Sequence, residues 1–135
     1  MKYFTIIFFF TVTSNLLGQN QVTRQELDSL PYLIVDKEPE FPGGNDSLVR
    51  WISRSKKYPP LQRHEPQGTV IVRFVIEKNG KVSNVEIAKS FGQYGEYYDN
   101  EALRLIKSMP DWIPGQKDGK VVRTVKNLPV KFTIR

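Results

Sequence analysis

DNEALRLIKSMPDWIPGQKDGK, residues 99–120, combines a helix, its stop, an aromatic anchor and a turn in one run. Asp99 stands where an N-cap belongs, with a carboxylate able to accept backbone N–H bonds from the first turn. Ala102, Leu105, Ile106 and Met109 recur at helical spacing and form one apolar stripe, which Leu103 widens. Lys107 suits the negative end of the helix dipole. Pro110 ends the helix, because a residue before proline is pushed out of the α region. Trp112 follows as a large apolar anchor, and Pro114-Gly115 and Asp118-Gly119 are turn chemistry. A β-rich run from Val121 to the C-terminus completes the picture of a helix laid on a sheet whose last strand closes the chain.

Upstream, residues 68–90 carry the clearest strand pattern. Val70, Val72, Phe74 and Ile76 alternate with Ile71, Arg73, Val75 and Glu77. Asn79-Gly80 predicts a two-residue hairpin loop, since both positions tolerate positive φ. That loop sets Lys78 against Lys81, Ile76 against Ser83, Phe74 against Val85 and Val72 against Ile87. On the opposite face it sets Arg73 against Glu86, a favourable cross-strand charge pair. Ile71 and Val75 leave this second face partly apolar, a surface for another segment or a partner to cover.

The last strand decides what the sheet can do. Leu128, Val130, Phe132 and Ile134 share one face, while Val121 and Val125 follow the opposite parity, which predicts a bulge near Lys126-Asn127. Pro129 cannot donate to a ladder, so this strand belongs at a sheet edge with the proline nitrogen facing outward. An edge offers unpaired backbone groups to an incoming peptide. The alternative is an edge merely protected by Arg123, Lys126, Pro129 and Lys131.

Toward the N-terminus, residues 19–29 are polar and expected to fray. Leu33-Ile34-Val35 is a candidate edge strand. Pro39-Glu40-Phe41-Pro42-Gly43-Gly44 forces a turn, with Phe41 as a hydrophobic plug. Asn45 is a candidate cap for a helix in which Leu48, Trp51 and Ile52 share a face, stopped by Tyr58-Pro59-Pro60. His64 beside Glu65 lies in a short polar linker and reads as solvated rather than catalytic. Tyr94, Tyr97 and Tyr98 read as amphipathic residues at the core rim.

Twenty Lys and Arg against 14 Asp and Glu leave a formal charge of +6, and there is no cysteine. Redox chemistry and thiolate metal sites are excluded, and dispersed charge argues against nucleic acid. Lys2 followed by the apolar run Tyr3–Val12 and Leu16-Leu17-Gly18 reads as an export signal over residues 1–18, the other reading being an uncleaved anchor. A spanning helix needs about 20 apolar residues, and Thr13, Ser14 and Asn15 interrupt this run. G-x-S-x-G, H-E-x-x-H, Walker A and dinucleotide fingerprints are missing, so the chain reads as a non-enzyme without a cofactor.

One ordered set of motifs remains: Glu40-Phe41-Pro42-Gly43-Gly44, Tyr58-Pro59, Gln67-Gly68-Thr69-Val70, Asn79-Gly80-Lys81-Val82, Glu101-Ala102-Leu103, Met109 to Gly115, and Leu128-Pro129-Val130-Lys131-Phe132. At this spacing the chain resembles the C-terminal domain of TonB-type energy transducers. The resemblance divides the chain into the signal at 1–18, an extension at 19–40 and the domain at 41–135. It implies an α+β fold, a three-stranded antiparallel sheet with two helices packed on one face.

It also implies a periplasmic domain that binds the TonB-box peptide of outer-membrane transport receptors by strand addition. In the family, the Tyr-Pro segment and the last strand contact that peptide. Here those positions are Tyr58 and Pro59 with Val122, Arg123, Thr124, Val125, Lys126, Leu128 and Val130, and Arg123 and Lys126 would read acidic neighbours on the receptor. Edge strands of the family also pair between chains, which allows a homodimer. Family members usually carry an uncleaved membrane helix and a long proline-rich spacer. This chain reads as having neither, so it is not expected to transmit force from the inner membrane. The family's alanine-bearing helix after Tyr-Pro is shortened here to residues 60–66. The alternative is an interaction module of the same fold that binds another envelope protein or a cell-wall component.

Overall fold

The computed structural model describes residues 23–60, 67–93 and 95–133. The expected export signal, the His64-Glu65 pair, Tyr94 and Ile134 lie outside the described residues. The elements run α1 (Arg24–Ser29), α2 (Gly44–Ser55), β1 (Gly68–Ile76), β2 (Val82–Lys89), α3 (Gly95–Lys107), β3 (Gln116–Lys117), β4 (Lys120–Val121) and β5 (Thr124–Phe132). The main sheet is antiparallel in the order β2-β1-β5, and β3 and β4 form a small separate hairpin.

The alternation in β1 works as expected. Val70, Val72, Phe74 and Ile76 are fully buried, and Leu128, Val130 and Phe132 of β5 meet them on the same face. Leu48 of α2 and Tyr98, Ala102, Leu105 and Ile106 of α3 complete that core, so both long helices cover one side of the sheet. Phe41 and Trp112 close one end, with ring centroids 5.5 Å apart in a T-shaped contact. Residues 37–40 are drawn there by antiparallel bridges of Lys37 with Gln116 and Glu40 with Ile113.

The hairpin differs from expectation in an instructive way. Asn79 does not take positive φ; Gly80 alone does, at +84°. The Gly80 N–H donates to the Glu77 carbonyl and the Asn79 side chain accepts from the Lys81 N–H, which makes a three-residue loop with a glycine bulge. This loop sets Ile76 against Val82 and Val75 against Ser83, one residue off the expected pairing. Asn84, at φ +48°, then adds a bulge in β2. The bulge restores the expected pairs Val72 with Ile87 and Arg73 with Glu86. The Arg73–Glu86 ion pair forms at 3.4 Å with both side chains at least half exposed, so it adds little stability.

Four further expectations are corrected. β5 pairs with β1 without interruption from Thr124 to Phe132, so no bulge lies at Lys126-Asn127. Thr124 takes an inward position in phase with Leu128, Val130 and Phe132, and Val125, opposite Val75, lies on the other face of the sheet. Asp99 lies inside α3 rather than capping it, and its carboxylate accepts from Ser90 Oγ at 2.5 Å and from the Phe91 N–H at 2.8 Å. α2 is capped by Gly43 in the left-handed region, not by Asn45. The polar stretch after Val22 forms α1, because Thr23 and Glu26 make a reciprocal capping box.

Leu33-Ile34-Val35 forms no strand. Leu33 and Ile34 are 75% and 80% exposed, and only Tyr32 beside them pairs, in a parallel bridge to Thr124.

Candidate functional site

β5 is an edge strand, as Pro129 requires. Which of its backbone groups face outward follows from one bond. The Val125 N–H donates to the Tyr32 carbonyl at 2.9 Å, away from β1. Because the β1–β5 register is unbroken, alternate residues share that direction. Asn127, Pro129 and Lys131 therefore turn their backbone groups outward, whereas Lys126, Leu128 and Val130 turn theirs toward β1.

Both ends of this edge are occupied by the chain itself. At the start of β5, Tyr32 donates to the Arg123 carbonyl at 2.8 Å and accepts from Val125. At the other end, Lys56 Nζ donates to the Lys131 carbonyl at 2.5 Å, and the Thr133 N–H donates to the Tyr58 hydroxyl at 3.4 Å. Between these stops, the Val125 carbonyl, the Asn127 N–H and carbonyl, the Pro129 carbonyl and the Lys131 N–H have no backbone partner among the described residues.

The Tyr58 end is set by an ion pair on α3. Glu101, 7% exposed, accepts from Arg104 Nε at 2.8 Å and from Arg104 Nη2, and it also accepts from the Lys57 N–H at 2.9 Å. Arg104 Nη2 donates as well to the Ser55 carbonyl at 2.9 Å. The end of α2 is thereby fixed to α3, and the chain leaves it with Tyr58 edge-on to Phe132 at 5.8 Å. Lys56 Nζ lies 5.5 Å from the Tyr58 ring centroid. Burial opposes ionisation of the Tyr58 phenol, yet the Thr133 N–H and the Lys56 ammonium outweigh it and hold the phenol below its usual range.

The Tyr32 end rests on a second ion pair. Glu77 accepts from Arg123 Nε at 2.7 Å and Nη2 at 3.0 Å, and from Ser83 Oγ at 2.5 Å. Arg123 Nη1 also donates to the Ser29 carbonyl at 2.5 Å. The Arg123 hydrogen bonds hold Glu77 below the ordinary carboxylate range. Glu101 is also lowered, its burial being outweighed by Arg104 and the Lys57 N–H.

These two carboxylates make stability acid-sensitive. Each has a folded pKa below its unfolded value, so its contribution is complete above that value, about 4.3, and is lost as pH falls through the folded pKa. Urea midpoints measured from pH 7 down to pH 3 are expected to hold steady above about pH 5 and then fall. Glu77→Gln with Glu101→Gln should flatten the fall while lowering the midpoint at neutral pH. An unchanged slope in the double variant would assign the acid sensitivity to other groups.

Of the residues expected at the site, Tyr58 and β5 do come together. The Val122 N–H is bonded to the Gly115 carbonyl at 3.0 Å. Arg123 is committed to Glu77, Thr124 is buried at its bridge with Tyr32, and the Val125 N–H is bonded to the Tyr32 carbonyl. Leu128 and Val130 are core residues. Pro59 is half-buried, and Lys126 lies at the inward register position opposite Phe74. The residues overlooked are Asn127 and Lys131, for which the parity of Pro129 was the available signal, and the two stops, Tyr32 and Lys56, for which the sequence carries none.

Among the described residues, no three His, Cys, Asp or Glu side chains cluster to hold a metal. No helix among them is long and apolar enough to cross a membrane. Fold and edge together define a small α+β domain whose three-stranded antiparallel sheet ends in the edge strand β5. The chain belongs to the family of Gram-negative bacterial TonB protein C-terminal domains, which it matches over residues 54–134. No curated protein and no solved structure matches it significantly. Membership assigns a TonB-like domain of the transport class, from a family that is non-enzymatic, typically periplasmic and partnered by outer-membrane receptors.

Proposed function

We propose that this domain binds the TonB-box peptide of an outer-membrane transport receptor as a guest strand on β5. The observation that carries the reading is the run of unpaired outward groups from the Val125 carbonyl to the Lys131 N–H, held between two stops made by the chain. A guest residue opposite Asn127 exchanges two backbone bonds with it, one opposite Pro129 donates a single bond, and one opposite Lys131 accepts from its N–H. With alternate residues bonded, the guest spans about five residues, roughly 17 Å. Affinity comes from the backbone and side-chain selectivity from what flanks it: Lys131 on the exposed face, and Lys56 with Tyr58 at the far stop. In this reading residues 1–18 direct export and are removed, residues 19–40 form an extension that supplies the near stop, and residues 41–135 are the binding domain.

Asn127→Pro tests the reading. Proline removes the outward N–H and leaves the inward ladder of β5 intact, because Asn127 donates nothing to β1. A hydrogen bond of this kind is worth about 1 kcal/mol, so binding of a fluorescent TonB-box peptide should weaken about fivefold to tenfold, with the urea midpoint nearly unchanged. Equal binding by both proteins would remove the β5 edge from the interaction. Binding of envelope proteins or cell-wall fragments with no affinity for any extended peptide would favour the interaction module of different specificity. A concentration-dependent dimer abolished by Asn127→Pro would make a second copy the guest.

A further inference from the structure

We infer that Tyr32 is the end stop that fixes how long a guest strand this domain accepts, an inference that rests on the strand-addition reading of β5. The edge already holds one strand residue from its own chain. Tyr32 makes both bonds of a parallel bridge, to the Arg123 carbonyl and from the Val125 N–H, at 2.8 and 2.9 Å. The next residue in phase along that edge is Ile34, which would bond the Val125 carbonyl and the Asn127 N–H if the bridge were extended. It does not: Ile34 is 80% exposed and the chain turns away.

The turn away has a visible cause. The Asp36 and Lys37 N–H groups both donate to the Gln116 carbonyl, at 2.9 and 3.0 Å, and the Asp118 N–H donates to Asp36 Oδ2 at 2.7 Å. Lys117 Nζ stands 5.9 Å from the centroid of the Tyr32 ring, and Arg123 holds the Ser29 carbonyl just upstream. Residues 29–37 are thus tied at both ends to the β3–β4 hairpin and the start of β5, with one residue left to touch the edge. A guest must stop where Tyr32 begins. With Tyr32 in place the outward positions at 127, 129 and 131 are available; without it position 125 joins them, and the site lengthens by two guest residues.

Peptides of four to nine residues, cut from one receptor TonB-box region and titrated against the full chain, read this directly. In the wild type, affinity should stop rising at about five residues. In Tyr32→Pro, which cannot donate to the Arg123 carbonyl, the rise should continue to about seven residues and end about tenfold higher. Amide exchange at Val125 should accelerate in the same variant, a readout independent of any peptide. If Tyr32→Pro accelerates exchange at Val125 yet both proteins plateau at the same length, Tyr32 is no stop. If exchange at Val125 is already fast in the wild type, the bridge does not persist in solution and the inference fails. If no peptide of any length binds either protein while Val125 is protected in the wild type alone, strand addition itself is wrong.

Discussion

Alanine at Gly80 is expected to destabilise the fold by about 3–4 kcal/mol, adding left-handed strain to a steric clash. Gly80 has φ +84°, and a methyl group there would overlap the carbonyl oxygen of Trp112. The overlap cannot relax cheaply, because the Trp112 N–H donates to the Gly80 carbonyl at 2.8 Å and Trp112 itself is buried against Phe41 and Phe74. Moving either backbone opens the end of the core. Gly119 supplies the control: its φ is +73°, but nothing lies within 4 Å of an added methyl. Gly119→Ala should therefore cost only the strain, about 1–2 kcal/mol. Urea unfolding followed by circular dichroism separates the two, and equal losses would show that the hairpin tip is not locked to Trp112.

Phe132→Ala is the second large effect, an expected loss of about 3–5 kcal/mol. Phe132 is 1% exposed, and Tyr98, Tyr58 and Phe91 surround it with ring centroids at 4.9, 5.8 and 6.1 Å. The three surrounding rings cannot collapse into the space of the lost phenyl without backbone movement, so most of the cavity should persist. The loss also reaches the site, because Tyr58 leans on Phe132 while its hydroxyl accepts from Thr133. Lys131→Ala next door removes an exposed side chain and should stay within about 0.5 kcal/mol. Comparable midpoints for the two variants would contradict the packing described for the end of β5.

Much of this fold is legible because its strongest signals are periodic. Val70 to Ile76 alternate, Ala102 to Met109 keep helical spacing, and Pro129 excludes β5 from the middle of a sheet. The hairpin shows where periodicity stops informing. Asn79-Gly80 fits two loop geometries, and the choice between them shifts the register by one residue. That shift is then reversed by Asn84, whose left-handed conformation leaves no trace in a pattern of apolar and polar residues. The expected pairs at Val72 and Arg73 emerged correctly because two irregularities cancel. α1 was overlooked although its capping box, Thr23 with Glu26, stands in the sequence, since a short polar helix has no apolar stripe to announce it.

The candidate site was half legible for a related reason. Family resemblance and a proline together pointed to β5 and to Tyr58. They did not separate residues whose backbone faces outward from those whose backbone faces β1, so Leu128 and Val130, which face β1, were expected at the site and Asn127 and Lys131, which face outward, were not. Tyr32 was beyond reach, because its bridge uses only backbone atoms that every residue except proline possesses. Arg123 illustrates the same limit for charge: as an isolated cation it reads as a ligand contact, and only the approach of Glu77 across 46 residues of chain shows it to be paired.

The central claim is that the outer edge of β5 is vacant between Tyr32 and Lys56 and takes a guest backbone there. Amide hydrogen exchange, resolved residue by residue with and without a TonB-box peptide, tests it most directly. The account predicts fast exchange at Asn127 and Lys131 in the free protein beside slow exchange at Val125, Leu128 and Val130, with the first two becoming protected when the peptide is added. Slow exchange at Asn127 and Lys131 without any peptide, or peptide-induced protection that leaves both untouched, would contradict it.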